Sequence, residues 1–482
     1  MPTAPQSEPS PTRRTALVVR MVTAGIALGL VLLAVIDKPY GQSGAVFGLY
    51  KGLLFAAGVC LGALCVAPLS WNQKALTLLI AVGMSLVVAE FVLRVMLGPH
   101  LLFQRDDRVL YRLVPGAERI AVMPPIDGGA VIRYKINNQG FRGAELARRG
   151  ESIRVLVYGD SFIQGDFSRT EETFTEQLKG RLARKIGKSI EVVNAGVIGY
   201  GPDQELRRME EELPTLKPNL VIVAIYAGND FGDLIKNKLY RLSSDGSLQD
   251  NPSAFLDDAI LSNMNQSRRS EPILRKILRA AIGRLFGNPG NSSVTGREAR
   301  RAWVDAYLKL AIDEYRQYVI EGDNAVHLVS VPYNADVSLR PTSESARYQI
   351  AMMEQIMRRM GGTVAKNNAA LVFLLIPSAI DVADEHEVEE VDPVKYPEYK
   401  RSTLTDILQQ ICQRNGFRAV NLFDPFWERR ADDLYFKVDG HWNPRGQAYA
   451  AELVSEFVIA QSARDARAQP SAAPQLGPAR SQ

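Results

Sequence analysis

Three long apolar runs, Ala16–Ile36, Ala45–Leu69 and Ala75–Leu97, precede a chain in which short apolar runs alternate with amphipathic ones. Each of the three approaches the ~20 residues that carry a helix across a bilayer. Downstream, Ile153–Tyr158 is a short β-branched apolar run and Leu220–Tyr226 is almost wholly apolar, the mark of strands buried on both faces, and Ser189–Val193, Ala370–Ile376 and Arg418–Leu422 also read as strands. Between and after them Glu172–Lys185, Asp203–Leu213, Ser343–Asn367, Arg401–Asn415 and Pro444–Ala460 have helical periodicity. Such alternation predicts an α/β fold, a mostly parallel sheet with helices on both faces. Right-handed crossovers then bring the carboxyl ends of the strands to one edge.

Around this core the chain divides into stretches of different character. Residues 1–14 are polar and rich in Pro and Ser and are expected to be disordered. Residues 15–98 form the membrane region, with about three helices. Arg13, Arg14 and Arg20 favour a cytoplasmic N-terminus, against Lys38 in the opposite loop. Three crossings would place the rest of the chain outside the cytoplasm, and two would invert this. No convincing small-x-small cleavage site follows Ile36 and two more apolar runs come after it, so the first run reads as an anchor. Lys51 can snorkel, Glu90 and Arg94 are spaced to pair, and Gly58 and Gly62 would let helices approach closely.

Residues 99–151 cluster β-formers at Val109–Leu113, Ile120–Met123 and Ala130–Ile136, with a turn signal at Asn137-Asn-Gln-Gly140, and read as a small β-rich lead-in. The main domain is expected over 152–462, interrupted at about 240–342. Within that insertion Pro272–Phe286 carries an apolar stripe opposite Arg275, Lys276, Arg279 and Arg284. A core-facing cap helix and a membrane-surface helix both fit it, the former being the commoner use of such a stripe. Arg297–Tyr318 reads as a second helix, and 463–482, rich in Ala, Pro and Gln, as a disordered tail.

Composition mostly excludes. A net charge of +4 with both signs interspersed gives no basic stripe for nucleic acid. Three cysteines, Cys60, Cys65 and Cys412, build neither a disulfide framework nor a metal site, and no His-carboxylate set has metal-ligand spacing. Neither a metal nor another cofactor is expected. There are four histidines. His100 abuts the last apolar run, His327 lies in the insertion, and His386 sits in the acidic run Asp381–Asp392, which reads most simply as a solvated loop. His441, just before the final helix, is the remaining candidate for a base.

Four stretches fall at strand ends or helix starts. Gly159-Asp160-Ser161-Phe162 closes the first strand of the main domain, with Gly159 where a Cβ would clash. Asn194-Ala-Gly196 follows the second strand, and Gly196 can present a bare backbone N–H. Ala227-Gly-Asn229-Asp230 follows the third; Asn229 can donate to an oxyanion or cap the next helix. Val438-Asp439-Gly-His441-Trp-Asn-Pro444 precedes the last helix. Read singly, each is ordinary turn composition. Together they hold what acyl transfer requires: a serine, a base to activate it and donors aimed at the developing oxyanion. Ser161 is the candidate nucleophile, His441 the base and Asp439 its orienting carboxylate. Ser161 N–H, Gly196 N–H and Asn229 are the candidate oxyanion donors.

In order and spacing these blocks resemble the SGNH (GDSL-type) hydrolase superfamily across Ile153–Ala460, and Asn138-Gln-Gly-Phe-Arg-Gly143 resembles the lead-in of some bacterial members. The resemblance implies a three-layer α/β/α, flavodoxin-like domain on a bacterial inner-membrane anchor, facing the periplasm or the exterior. It implies a serine esterase or deacylase acting on an acyl ester, such as an O-acetylated glycan, through an acyl-enzyme. An O-acyltransferase working with a membrane partner, and a non-catalytic glycan-binding or assembly protein, are the alternatives. Two departures stand out. Ala227 replaces the first glycine of the family's Gly-x-Asn-Asp block, and Asp439 precedes His441 by two positions where many members have three. Asp432 and Asp433 are the substitutes if Asp439 does not orient the histidine.

Overall fold

The computed structural model describes residues 13–35, 45–97, 102–123, 131–148, 152–165, 167–251, 334–386, 390–429, 431–437 and 440–468, together with 127, 150 and 274. The chain forms two compact units: residues 1–99, 124–130 and 270–294 in one, and the remainder in the other.

The first unit contains helices α1 (Arg13–Val35), α2 (Ala45–Leu64) and α3 (Leu69–Leu97). Among the described residues, Arg14–Leu32 and Leu69–Leu93 are long and apolar enough to cross a membrane, and Phe55–Leu64 is a shorter apolar stretch. The boundary between the second and third runs differs from expectation. A turn at Cys65–Pro68 closes on the carbonyls of Gly62, Ala63 and Leu64, and α3 begins at Leu69 rather than Ala75. Pro68 has no N–H to continue α2, while Trp71–Lys74, more polar than the run that follows, are compatible with a helix.

Gly58 packs on α1, where a Cβ would lie 2.7 Å from Val31 Cγ2, but Gly62 faces open space. Only one member of that small-residue pair therefore serves close helix approach. Thr23 and Asn72, both fully buried, share a 2.7 Å hydrogen bond, and Asn72 also donates to Leu64 O. Leu17, Leu28, Leu78, Val87 and Phe91 are exposed. Glu90 accepts the backbone N–H of Leu274 at 3.0 Å, and the side chain of Arg94 lies outside the described residues.

The second unit opens with the antiparallel pairs β1 (Phe103–Asp106) with β2 (Leu110–Leu113), and β3 (Glu118–Val122) with β4 (Val131–Lys135). Asn137 makes the expected turn, its Oδ1 accepting the N–H groups of Gln139 and Phe141. Next come β5 (Ile153–Tyr158), the single helical turn α4 (Ser161–Gln164), α5 (Phe174–Ile186), β6 (Ile190–Asn194), α6 (Pro202–Leu216), β7 (Leu220–Tyr226) and α7 (Asp230–Asn237). A separate hairpin joins β8 (Tyr240–Leu242) to β9 (Leu248–Asp250). After the insertion come α8 (Glu344–Lys366), β10 (Ala370–Ile376), α9 (Thr403–Arg414), β11 (Ala419–Asn421) and α10 (Pro444–Ala468).

The main sheet is wholly parallel, in the order β11-β10-β7-β5-β6. Counted within the domain this is 2-1-3-4-5, the flavodoxin-like order, which reverses between β5 and β7; ligands of such sheets bind at that reversal. Helices α5 and α10 pack together on one face, and α6 and α8 on the other. Leu220 to Ile225 of β7 are buried, and each Leu, Val or Ile side chain among them contributes roughly 1.5–3 kcal/mol.

Pro272–Phe286 apart from Leu274, Arg297–Tyr318 and His327 lie outside the described residues, as does His100. The final helix does not stop at Ala460 but continues to Ala468, where Arg418 pairs with Asp465 at 2.8 Å.

Candidate active site

Ser161 stands immediately beyond the carboxyl end of β5. Asp160 caps α4, its Oδ1 accepting Phe162 N–H at 2.9 Å. The turn has little room. A Cβ on Gly159 would lie 2.4 Å from Ile163 Cγ1 and 3.1 Å from Ala224 on β7, so a glycine is required for close packing, without a left-handed backbone. Gly196 serves the same end from β6. A Cβ there would lie 2.3 Å from Gln164 N, so the loop after β6 lies directly against α4.

His441 reaches the serine from the far end of the domain. Ser161 Oγ and His441 Nε2 are 2.6 Å apart, across 280 positions of sequence. The serine is 7% exposed and the imidazole half-buried. The ring lies against Phe162 and Phe167, with centroids 4.9 and 5.7 Å away. Its loop is built tightly: Phe436 N–H donates to His441 O, and Gly440 adopts a positive φ of 79°. Asn443 then starts α10, its Oδ1 accepting the N–H groups of Arg445 and Gly446 while Nδ2 donates to Asp433 O. Trp442, almost wholly buried, anchors the loop in the core.

His386 belongs to this scaffold. The acidic run expected to be a solvated loop is partly interior: Asp381, His386 and Val391 are buried, and His386 Nε2 hydrogen-bonds Phe436 O at 2.9 Å. Burial pushes the Asp381 carboxyl up to about 7. The sequence reading missed this because charge density says nothing about which face of a loop is covered.

Asp439, the expected orienting carboxylate, lies outside the described residues. Its two substitutes are engaged elsewhere. Asp432 accepts the N–H of Glu385 at 3.1 Å, and Asp433 faces Arg445 at 3.4 Å.

The two remaining candidate donors are placed on neighbouring loops. Gly196 N–H donates within its own loop, to Asn194 Oδ1 at 3.1 Å. Asn229 occupies the capping position of α7 but makes no capping bond with its side chain; Nδ2 donates to Asp233 at 2.9 Å, which leaves the second amide hydrogen available.

A group that sequence reasoning did not single out lies beside the serine. Asp160, Asp203, Glu205, Asp230 and Asp233 are all buried. Both Glu205 oxygens, Asp230 Oδ1 and Asp203 Oδ2 have no hydrogen-bond partner. Burial and mutual repulsion hold these carboxyls above their usual range. Asp160 rises to about 6, through burial and then the charge of Asp233, against the opposing pull of Phe162 N–H and His441. Asp203 rises to about 7, chiefly through burial. Glu205 and Asp230 are raised further, through burial and then through Asp160. Among the described residues no three His, Cys or carboxylate side chains are placed to hold a metal ion. Burial favours the protonated form of such acids.

A family model described as an SGNH hydrolase-like domain, acetyltransferase AlgX, matches residues 333–481, the part that carries His441. No curated protein matches. Solved structures that align include the acetyl xylan esterase AlAXEase (12% identity, 64% of this chain and 100% of that one, TM-score 0.30). Others are the psychrotrophic esterase EstA from Pseudoalteromonas sp. (12%, 64% and 98%, 0.31) and a lipase/acylhydrolase from Enterococcus faecalis (11%, 64% and 96%, 0.31). At such scores these structures add nothing to the assignment. The likeness to an SGNH hydrolase-like domain rests on the family model over residues 333–481 and on four sequence blocks strung in order along one flavodoxin-ordered sheet.

Proposed function

We propose that this protein is a serine-dependent acyl-transfer enzyme that removes an acyl group, such as O-acetyl, from an ester substrate. The supporting observation is the 2.6 Å contact between Ser161 Oγ and His441 Nε2 in a half-buried, aromatic-walled setting. Neutral His441 takes the hydroxyl proton as Ser161 Oγ attacks the ester carbonyl. The oxygen of the tetrahedral intermediate is met by Ser161 N–H, Gly196 N–H turned from Asn194, and Asn229 Nδ2. Collapse releases the alcohol, protonated by His441, and leaves acyl-Ser161. Water, deprotonated by the same imidazole, then frees the acid. Asp439 is assigned the orientation of His441.

The second reading replaces water by a carbohydrate hydroxyl, making the protein an O-acyltransferase. It is favoured by the family model, whose description names an acetyltransferase. In both readings the apolar N-terminal helices anchor the domain at a membrane, with the site on the periplasmic or exterior side. A chromogenic acetyl ester tests the shared half-reaction: parent protein turns it over and Ser161→Ala does not. Equal turnover by the two would remove Ser161 from the chemistry. Mass spectrometry of products formed in the presence of glycan oligosaccharides then separates hydrolysis from transfer.

A further inference from the structure

The helical turn that carries Ser161 is too short to hold itself. It has two internal hydrogen bonds, Gln164 N–H to Asp160 O and Gly165 N–H to Ser161 O. One turn of helix is unstable alone, and the carbonyls at its end have no partner within it. Those carbonyls are met from outside the hydrolase domain. Arg142 of the lead-in, 4% exposed, donates Nη1 to Gln164 O at 2.5 Å and to Gly165 O, and Nη2 to Ser168 O at 2.5 Å. A guanidinium is a rigid, permanently charged fork, and charge-assisted hydrogen bonds are roughly twice as strong as neutral ones. Lysine could not span the same three carbonyls.

The backbone of Arg142 is fastened as well. It forms an antiparallel bridge with Asn194 at the end of β6. Asn194 Nδ2 donates to Ile163 O at 2.7 Å, and its Oδ1 holds Gly196 N–H. The lead-in also grips the far side of the Gly196 loop: Tyr111 hydroxyl donates to Ile198 O at 3.0 Å, and Gln204 Nε2 donates to Val109 O at 2.8 Å. Arg142 is thus the central tie between the lead-in and the serine turn.

We propose that Arg142 is a positioning residue for Ser161: by holding the carbonyls of Gln164, Gly165 and Ser168 it keeps the serine hydroxyl in reach of His441, so the lead-in is a working part of the active site. This rests on the reading of Ser161 as the nucleophile. The test uses the full chain in detergent micelles, as parent, Arg142→Ala, Arg142→Lys and Ser161→Ala.

Covalent labelling of Ser161 by a fluorophosphonate reads nucleophile alignment. Turnover of the acetyl ester separates kcat from KM. Amide hydrogen exchange over 161–168 reads the turn whether or not the protein is active. Arg142→Ala is expected to lower labelling rate and kcat by about 100-fold, the scale of a misplacement near 1 Å, with KM little changed. Arg142→Lys should lie between, and exchange should quicken over 161–168 before it does elsewhere. A folded Arg142→Ala that labels within threefold of the parent, or a loss confined to KM, overturns the proposal. Unchanged exchange over 161–168 in either variant overturns it also; if Arg142→Ala does not fold, the same readouts on Arg142→Lys decide. A parent whose labelling survives Ser161→Ala refutes the catalytic reading instead, and the exchange result still judges the role of Arg142.

Discussion

The serine turn lies between two unlike walls. On the lead-in side, Arg142 and Asn194 place charged or amide donors directly on the backbone that carries Ser161. On the side of α6 and α7 the donors are unevenly shared: among the described residues both oxygens of Glu205 lack a partner, as does one oxygen each of Asp203 and Asp230. The first wall secures geometry with hydrogen bonds that do not depend on pH. The second is stable only while some of its members keep a proton, because an unpaired buried carboxylate costs several kcal/mol. One turn of chain thus couples a rigid support to one that responds to acidity.

The largest effect should come from what the walls hold in place, the contact of Ser161 with His441. Ser161→Ala and His441→Ala are each expected to reduce acetyl-ester turnover by at least about 1,000-fold, and the double variant to be no worse than either, since the two act as a unit. Additive losses would separate them. Next, Asn194→Ala strips donors from Ile163 O and Thr175 and the acceptor from Gly196 N–H. Leaving such groups buried without partners should lower unfolding stability by about 2–4 kcal/mol in denaturant titrations. A change under 0.5 kcal/mol would show that the lead-in wall carries little load.

The acid wall is tested by pH. Its members have folded-state values raised above their ordinary ones, so the folded state retains protons that the unfolded chain releases. Their stabilising contribution is full below about pH 4 and is lost as pH rises through about 6 for Asp160 and about 7 for Asp203. Melting temperature should therefore fall between pH 5 and pH 8. Asp203→Asn and Glu205→Gln, which supply permanently neutral groups, should flatten that slope; a slope unchanged in both would mean these carboxyls are not the groups that hold the protons. The smallest effect is expected at the base of the His441 loop. Asn443→Ala removes the cap of α10 and should cost about 1 kcal/mol of stability. A melting temperature indistinguishable from the parent's would mean that the loop is held by Trp442 and His386 alone.

Much of the scaffold was legible in the chain. Leu220–Tyr226 and Ala370–Ile376 are strands with the boundaries their apolar runs imply, and the helix expected over Ser343–Asn367 is present, with Ser343 as its cap accepting Ala346 N–H. The pairing of Ser161 with His441 followed from having only four histidines and one of them at a helix start. Glu205 carries no such signal, and Arg142, though inside the lead-in block Asn138–Gly143, has nothing local that marks it as a partner of the serine turn. Each is an ordinary charged residue in a turn or a helix, and periodicity treats both as solvent-facing. Gly159 stands where a Cβ would clash, as its place in the turn implies, whereas Gly196, whose sequence position suggests a bare N–H, is also needed because a Cβ there would meet Gln164 N at 2.3 Å.

By itself the sequence determined the local elements, the parallel order of strand and helix, and which residue types stand at the strand ends. These follow from short-range sterics and from burial patterns that repeat every two or every 3.6 positions. Only the tertiary structure decided which wall holds the serine turn and which acids lose their water. Burial and hydrogen bonding between residues 142 and 164, or 161 and 441, sum over neighbours that are remote along the chain. No local pattern records how those neighbours meet.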